Sequence, residues 1–173
     1  MTESATDLIR HVIDRFHIPL RLELRAIEEL IDAEEPDDTV EALRETYERL
    51  RDELLSHLEK EERVLFPHVV EMEEASRQGR SPSGALAGLT SGVVSVMMRE
   101  HGGTQLALVG LRRITADYVP APHAGSNRRE LYSRLSALEE DLRRHMALED
   151  GVLFPKALEL ERILRNSVSA SGN

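Results

Sequence analysis

Histidine followed four residues later by glutamate occurs twice in this chain, each time inside the same kind of stretch. Residues 52–67 read DELLSHLEKEERVLFP and residues 140–155 read EDLRRHMALEDGVLFP, which sets His57 before Glu61 and His145 before Glu149. On a helix, side chains four apart stand one above the other on one face, so each stretch offers an imidazole and a carboxylate to a common point. Two further histidines, His17 and His101, fall on the inner stripes of the stretches that precede each copy. Four imidazoles and two carboxylates suit Fe, Mn, Zn, Cu or Ni, whereas Ca²⁺ and Mg²⁺ sites are built mainly from oxygen.

Six ligands exceed what one tetrahedral zinc takes. They match two ions a short distance apart, each holding two imidazoles while the two carboxylates bridge. Such a centre has room for an oxo or hydroxo bridge and an open coordination position. Its histidine-rich ligand set carries less negative charge than the carboxylate-rich di-iron bundles, which favours binding a small ligand over strong oxidation chemistry. A single inner histidine is usually an ordinary core residue, and a single His-x-x-x-Glu pair can be a surface ion pair. Two copies in seam positions, joined by two more seam histidines, shift the balance to a metal, because six buried titratable groups without one would suffer severe desolvation. His68 lies on the same seam two turns below Glu61, and the sequence leaves open whether it stands near the site, the reading without a role there being favoured. Tyr47 reads as core with a hydrogen-bonded hydroxyl, and His11 and His123 as surface residues.

The elements that must position these residues are helices. Leu, Ala, Glu and Arg dominate, aromatic residues make up only 3%, and turn-forming clusters are few, the make-up of long helices packed on one another. The periodicity predicts an all-α bundle with helices at about 7–32, 39–77, 85–118 and 127–164, forming one domain over 1–165 with a flexible tail at 166–173. The inner positions of the second helix are Leu43, Tyr47, Leu50, Leu54, His57, Glu61, Val64, His68 and Met72. Those of the fourth are Leu131, Leu135, Leu138, Leu142, His145, Glu149 and Val152. The first carries Ile13, Leu20, Leu24, Ile27 and Ile31 around His17; the third carries Val94, Met98, His101, Leu108, Leu111 and Thr115. Pro67 and Pro155 each stand six residues after the glutamate, where they should kink the helix or introduce a wider turn, and Pro19 should distort the first helix locally. Gly102 and Gly103 beside His101 suggest close backbone approach or an access path. The second and fourth helices match each other, and the first and third match more weakly, so the chain reads as a duplicated helical hairpin closing into an up-down-up-down bundle.

The absence of cysteine excludes disulfides, thiolate ligation and thiol nucleophiles. A formal charge of −10 argues against nucleic acid or an anionic membrane as primary partner. With no signal peptide and no membrane-length apolar run, the expected compartment is the cytoplasm and the expected state a monomer or weak homodimer.

FHIPLR around His17, HLEKEERVLFP from His57, MREHG around His101 and HMALEDGVLFP from His145 together resemble the hemerythrin-like HHE cation-binding domain family over about residues 8–160. Within it they are most similar to the di-iron domain of proteins that repair stress-damaged iron–sulfur centres. The resemblance implies a hemerythrin-like four-helix bundle holding two Fe ions with a bridging oxo or hydroxo group, Mn or Zn being possible substitutes. His17, His57, His101 and His145 correspond to its terminal ligands, and Glu61 and Glu149 to its bridging carboxylates. It also implies reversible interaction with O₂ or NO for sensing, storage or stress detoxification, with a diatomic gas or peroxide as the small-molecule partner. The alternatives are a di-iron enzyme, peroxidase-like, NO-reducing or acting in iron-centre repair with an unidentified electron donor, and a bundle that the metal merely stabilises. Two departures from the repair proteins point towards gas binding: the chain starts at the bundle without a cysteine-bearing domain, and AEEPDD stands where those proteins carry a further histidine.

Overall fold

The computed structural model describes residues 4–80 and 89–171, with side chains through residue 167. Among the described residues there are four long helices and no strands. The first helix (5–32) consists of Ala5–Val12, a π-helical turn Ile13–His17 and Ile18–Asp32. The second (38–78) consists of Asp38–Lys60, a π-turn Glu61–Leu65 and Phe66–Gln78. The third is Leu89–Ile114, and the fourth (126–171) joins Ser126–Leu148, a π-turn Glu149–Leu153 and Phe154–Ser171. None of the described helices is long and apolar enough to cross a membrane.

The ends follow local chemistry. Ser4 caps the first helix, its hydroxyl accepting from the Asp7 amide at 3.0 Å. The carboxylate of Glu73 reaches across from the second helix to accept from the amides of Ala5 at 2.8 Å and Thr6 at 3.1 Å, satisfying donors that have no partner within the helix. Asp37, rather than Asp38 or Thr39, caps the second helix by accepting from the Val40 amide at 2.7 Å, and Gly79 ends that helix in the left-handed conformation at φ +62°. The start of the third helix, expected at about residue 85, lies outside the described residues.

The third helix stops at Ile114 instead of 118. Ala116, Asp117 and Tyr118 are all left-handed, with φ of 49°, 60° and 62°, a conformation costing roughly 1–2 kcal/mol per non-glycine residue. The turn is held by the Tyr118 hydroxyl donating to the buried carboxylate of Glu139 at 2.7 Å and by the Asp117 amide donating to the Arg112 carbonyl at 2.8 Å. At the other end of the bundle, the chain expected to leave the helix near residue 164 continues it to Ser171.

Two apolar clusters fill the interior. One gathers Leu24, Ile27, Tyr47, Leu50, Leu111, Leu135 and their neighbours, and the other Val12, Leu65, Phe66, Val69, Met97, Leu153 and Phe154 among others. Tyr47 is buried and its hydroxyl donates to the Leu24 carbonyl, as a core tyrosine requires. None of the six candidate ligands belongs to either cluster, although all six are buried.

Candidate metal centre

Three of the four helices change pitch at the candidate ligands. His17 ends the first π-turn, and Glu61 and Glu149 begin the other two. In each, the carbonyl of the first residue accepts from the amide five residues on: Ile13 from Ile18, Glu61 from Phe66 and Glu149 from Phe154. The next residue is then a proline, Pro19, Pro67 or Pro155. A proline ring has no amide hydrogen to donate and would collide with the carbonyl four residues back in a regular helix; the wider turn relieves both. It also inserts one residue into the seam. Val64 and Val152, expected inside, are 44% and 45% exposed, while Leu65 and Leu153 are buried in their place. In the third helix the inner methionine is Met97, and Met98 is 51% exposed.

The π-turns and seams bring all six predicted residues into two overlapping groups: His17, Glu61, His145 and Glu149 in one, His57, Glu61, His101 and Glu149 in the other. Within each group the donor atoms lie within 4.8 Å of one another. In the first group, His17 Nε2 is 3.2 Å from His145 Nε2 and 3.4 Å from Glu61 Oε2, and His145 Nε2 is 3.0 Å from Glu149 Oε1. In the second, His57 Nε2 is 3.1 Å from His101 Nε2 and 3.5 Å from Glu61 Oε1, and His101 Nε2 is 3.4 Å from Glu149 Oε2. Each glutamate therefore turns one oxygen to each group, the arrangement a bridging carboxylate needs.

Around the candidate ligands, carboxylates fix three of the four rings. His17 Nδ1 meets Glu62 Oε1 at 2.7 Å, His57 Nδ1 meets Glu100 Oε2 at 3.0 Å, and His101 Nδ1 meets Asp150 Oδ1 at 2.9 Å. An ionised carboxylate only accepts, so Nδ1 carries the hydrogen and the Nε2 lone pair faces inward, ready for a cation. Two of these carboxylates have cations of their own: Arg21 lies 2.9 Å from Glu62, and Lys60 pairs with Glu100. The phenylalanines of the two LFP motifs complete the pattern. Phe66 stacks on His17 with centroids 5.6 Å apart, and Phe154 on His101 at 5.7 Å.

The electrostatics call for positive charge. All four oxygens of Glu61 and Glu149 are buried without a hydrogen-bond partner, a costly condition for any polar group and more so for an anion. Burial, reinforced by the neighbouring Glu149, holds the Glu61 carboxyl well above its usual range. Burial also pushes Glu149 upward, but the adjacent His101 and His145 rings outweigh it and hold that carboxyl at about 2. Burial, together with His145, lowers His17 to about 4, and burial lowers His57. His101 moves upward despite its burial, because Glu149 and Asp150 face it. Inward lone pairs at 3.1–3.2 Å and orphaned carboxylate oxygens form a donor set that two cations would satisfy, and mixed imidazole and carboxylate ligands fit iron.

His68, the further seam histidine, joins neither group; its Nε2 lies 2.9 Å from Thr90 Oγ1 in the interior. His11 and His123 are exposed. A Cβ added at Gly102 or Gly103 would meet nothing within 4 Å, so close backbone approach does not account for those glycines. Sequence spacing does not single out Glu62, Glu100 and Asp150, although each is the immediate chain neighbour of a candidate ligand.

The sequence model of the family described as Hemerythrin HHE cation binding domain matches residues 8–157. The chain is also similar to iron–sulfur cluster repair proteins called YtfE. It is 33% identical to that of Cronobacter sakazakii over 162 residues, which span 90% of this chain and 67% of the relative. To that of Dickeya chrysanthemi it is 30% identical over 164 residues, 91% of this chain and 68% of the relative. To that of Salmonella paratyphi B the identity is 29% over 158 residues, 88% and 66% of the two chains. The match to the family spans the helices that carry all six clustered side chains: this chain belongs to the hemerythrin HHE cation-binding domain family.

Proposed function

We propose that this chain is a non-haem di-iron protein that binds a small diatomic ligand, O₂ or NO, in sensing, storage or stress detoxification. The observation that carries the reading is the pair of buried, unpartnered carboxylates, each turning one oxygen to each of two imidazole pairs. His17 and His145 serve one ion, His57 and His101 the other, and Glu61 and Glu149 both. Four protein donors per ion would leave room for an exogenous ligand. A pair of iron ions bound there supplies redox-active Lewis acids with exchangeable positions. The chain's own residues do the rest. Glu62, Glu100 and Asp150 orient three rings by accepting their Nδ1 hydrogens, and the two apolar clusters keep bulk water from the interior.

The test is an anaerobic titration of iron-loaded protein with NO, followed by absorption. Bands that saturate, and reverse when the gas is removed, are expected. Sustained consumption of NO, O₂ or peroxide with an electron donor would instead make the protein an enzyme. Iron-centre repair is the second reading, favoured by the similarity to the named repair proteins; restoration of a damaged iron–sulfur protein by the iron-loaded chain, and not by the metal-free one, would select it. A bundle merely stabilised by metal is ruled out if a Glu61→Gln, Glu149→Gln variant stays folded yet loses NO binding.

A further inference from the structure

Three of the four clustered rings donate Nδ1 to a carboxylate, and the fourth does not. His145 has no such partner among the described residues, although it is only 3% exposed. The two hairpins explain where the missing acceptor would stand. In the other group, His57 donates to Glu100, the residue just before His101, its partner imidazole. The corresponding neighbour of His145 is the residue just before His17, and that residue is Phe16. Phe16 lies face to face with the His145 ring, centroids 5.0 Å apart and planes within 6°, and offers no acceptor.

Beside these rings, a cavity of about 290 Å³ opens between the first and fourth helices. His145, Phe16, Pro19, Leu20, Leu138 and Leu142 form its body. Four charged side chains also line it: Arg15, Arg134, Glu23 and Asp141. Arg134 is firmly held, 3.0 Å from Glu23 and 2.7 Å from Glu130. Arg15 is held only loosely, its guanidinium 3.8 Å from Asp141, and it lies over the Phe16 ring at 5.5 Å. Two of the carboxylates on the other rings are each paired with a cation, Glu62 with Arg21 and Glu100 with Lys60. At His145 the structure supplies the donor ring and, in Arg15, a cation, but not the carboxylate between them.

We propose that this cavity is a binding site for a small amphipathic carboxylate, whose oxygens accept from His145 Nδ1 and pair with Arg15 while its apolar part packs on Phe16, Leu20, Leu138 and Leu142. The site rests on the reading of His145 as a metal ligand through Nε2, which leaves the hydrogen on Nδ1. A bound carboxylate does for His145 what Glu100 does for His57, fixing the ring and strengthening it as a donor to the metal. A ligand held here tunes one half of the centre from outside the chain.

The experiment uses the full chain loaded with Zn²⁺, which is redox-silent, with metal content measured on the same sample. Benzoate is the probe and benzyl alcohol its uncharged counterpart of similar shape, both followed by calorimetry. Saturable benzoate binding at one per chain, at least about tenfold tighter than benzyl alcohol, is expected; a charge-assisted hydrogen bond is roughly twice as strong as a neutral one. Phe16→Glu, which supplies the acceptor from within, and Ala137→Phe, which fills the cavity, should each weaken benzoate binding by about tenfold or more while two zinc ions remain bound. Benzoate binding no tighter than benzyl alcohol, or unchanged in both variants, overturns the proposal. A chain that takes up no zinc removes its premise, and the metal count distinguishes that failure from the others.

Discussion

The two imidazole pairs share both glutamates, yet their surroundings differ. Around His57 and His101, both rings rest on carboxylates, Glu100 and Asp150. Around His17 and His145, only His17 does, through Glu62, while His145 faces Phe16 and a cavity. The two halves of the chain thus repeat the candidate ligands but not everything that supports them. Since a carboxylate on a ligating imidazole orients it and raises its basicity, the His57–His101 pocket should hold a cation more tightly, and the His17–His145 pocket should be the one where ligands exchange.

The largest effect breaks both pockets together. Glu149→Ala removes one oxygen from each and should lower affinity for both metals by more than ~100-fold, beyond what loss of a supporting group causes. Glu61→Gln should also weaken both, and towards higher pH it should raise the melting temperature of the metal-free protein, because burial opposes ionisation of the Glu61 carboxyl and the amide that replaces it cannot ionise. Metal titrations with melting curves in chelator check both outcomes.

Acidity separates the pockets next. His17 is held at about 4 against an ordinary 6.5, so the folded chain favours its neutral ring. Protons then favour the unfolded chain, and metal-free stability should fall as pH drops from 6.5 towards 4, by on the order of 3 kcal/mol from this ring. Glu61, held above its usual range, works in the opposite sense: its contribution is present at low pH and is lost as pH rises through its raised value. Glu61→Gln removes the opposing effect, so its acid loss of stability should be steeper than that of the wild type. Melting temperatures of the metal-free proteins across pH 4–7 decide it, and equal slopes would contradict the assignment.

Single supporting groups come third. Glu100→Ala should cost the His57–His101 pocket about 10–100-fold in affinity, and Glu62→Ala the other pocket by a similar factor. Competition titrations with Co²⁺ should therefore show the two binding steps drawn together in Glu100→Ala and spread apart in Glu62→Ala. The smallest change is Gly103→Ala. Its added Cβ meets nothing, so it should stabilise the third helix by about 1 kcal/mol with metal content unaltered; loss of metal would show that the open space beside His101 matters to the centre.

The six clustered residues were legible because their spacing sits on seams whose apolar members are unambiguous. The hidden parts have physical reasons. A seam counted in threes and fours places Val64 and Val152 inside because it cannot register the extra residue of a π-turn, although Pro67 and Pro155 announce that something must widen there. Glu62, Glu100 and Asp150 are partly exposed, so in a chain this rich in acids they pass for solvated surface groups. The early end of the third helix depends on Tyr118 reaching Glu139, a contact between residues far apart in sequence that periodicity does not report.

The central claim is that one chain holds two metal ions between shared glutamates. Iron analysis of protein reconstituted anaerobically, with an absorption spectrum before and after azide, tests it directly. The expected result is about two iron ions per chain with azide-dependent charge-transfer bands, both ions being lost in Glu149→Ala. One iron per chain, or two that survive that substitution, would contradict it.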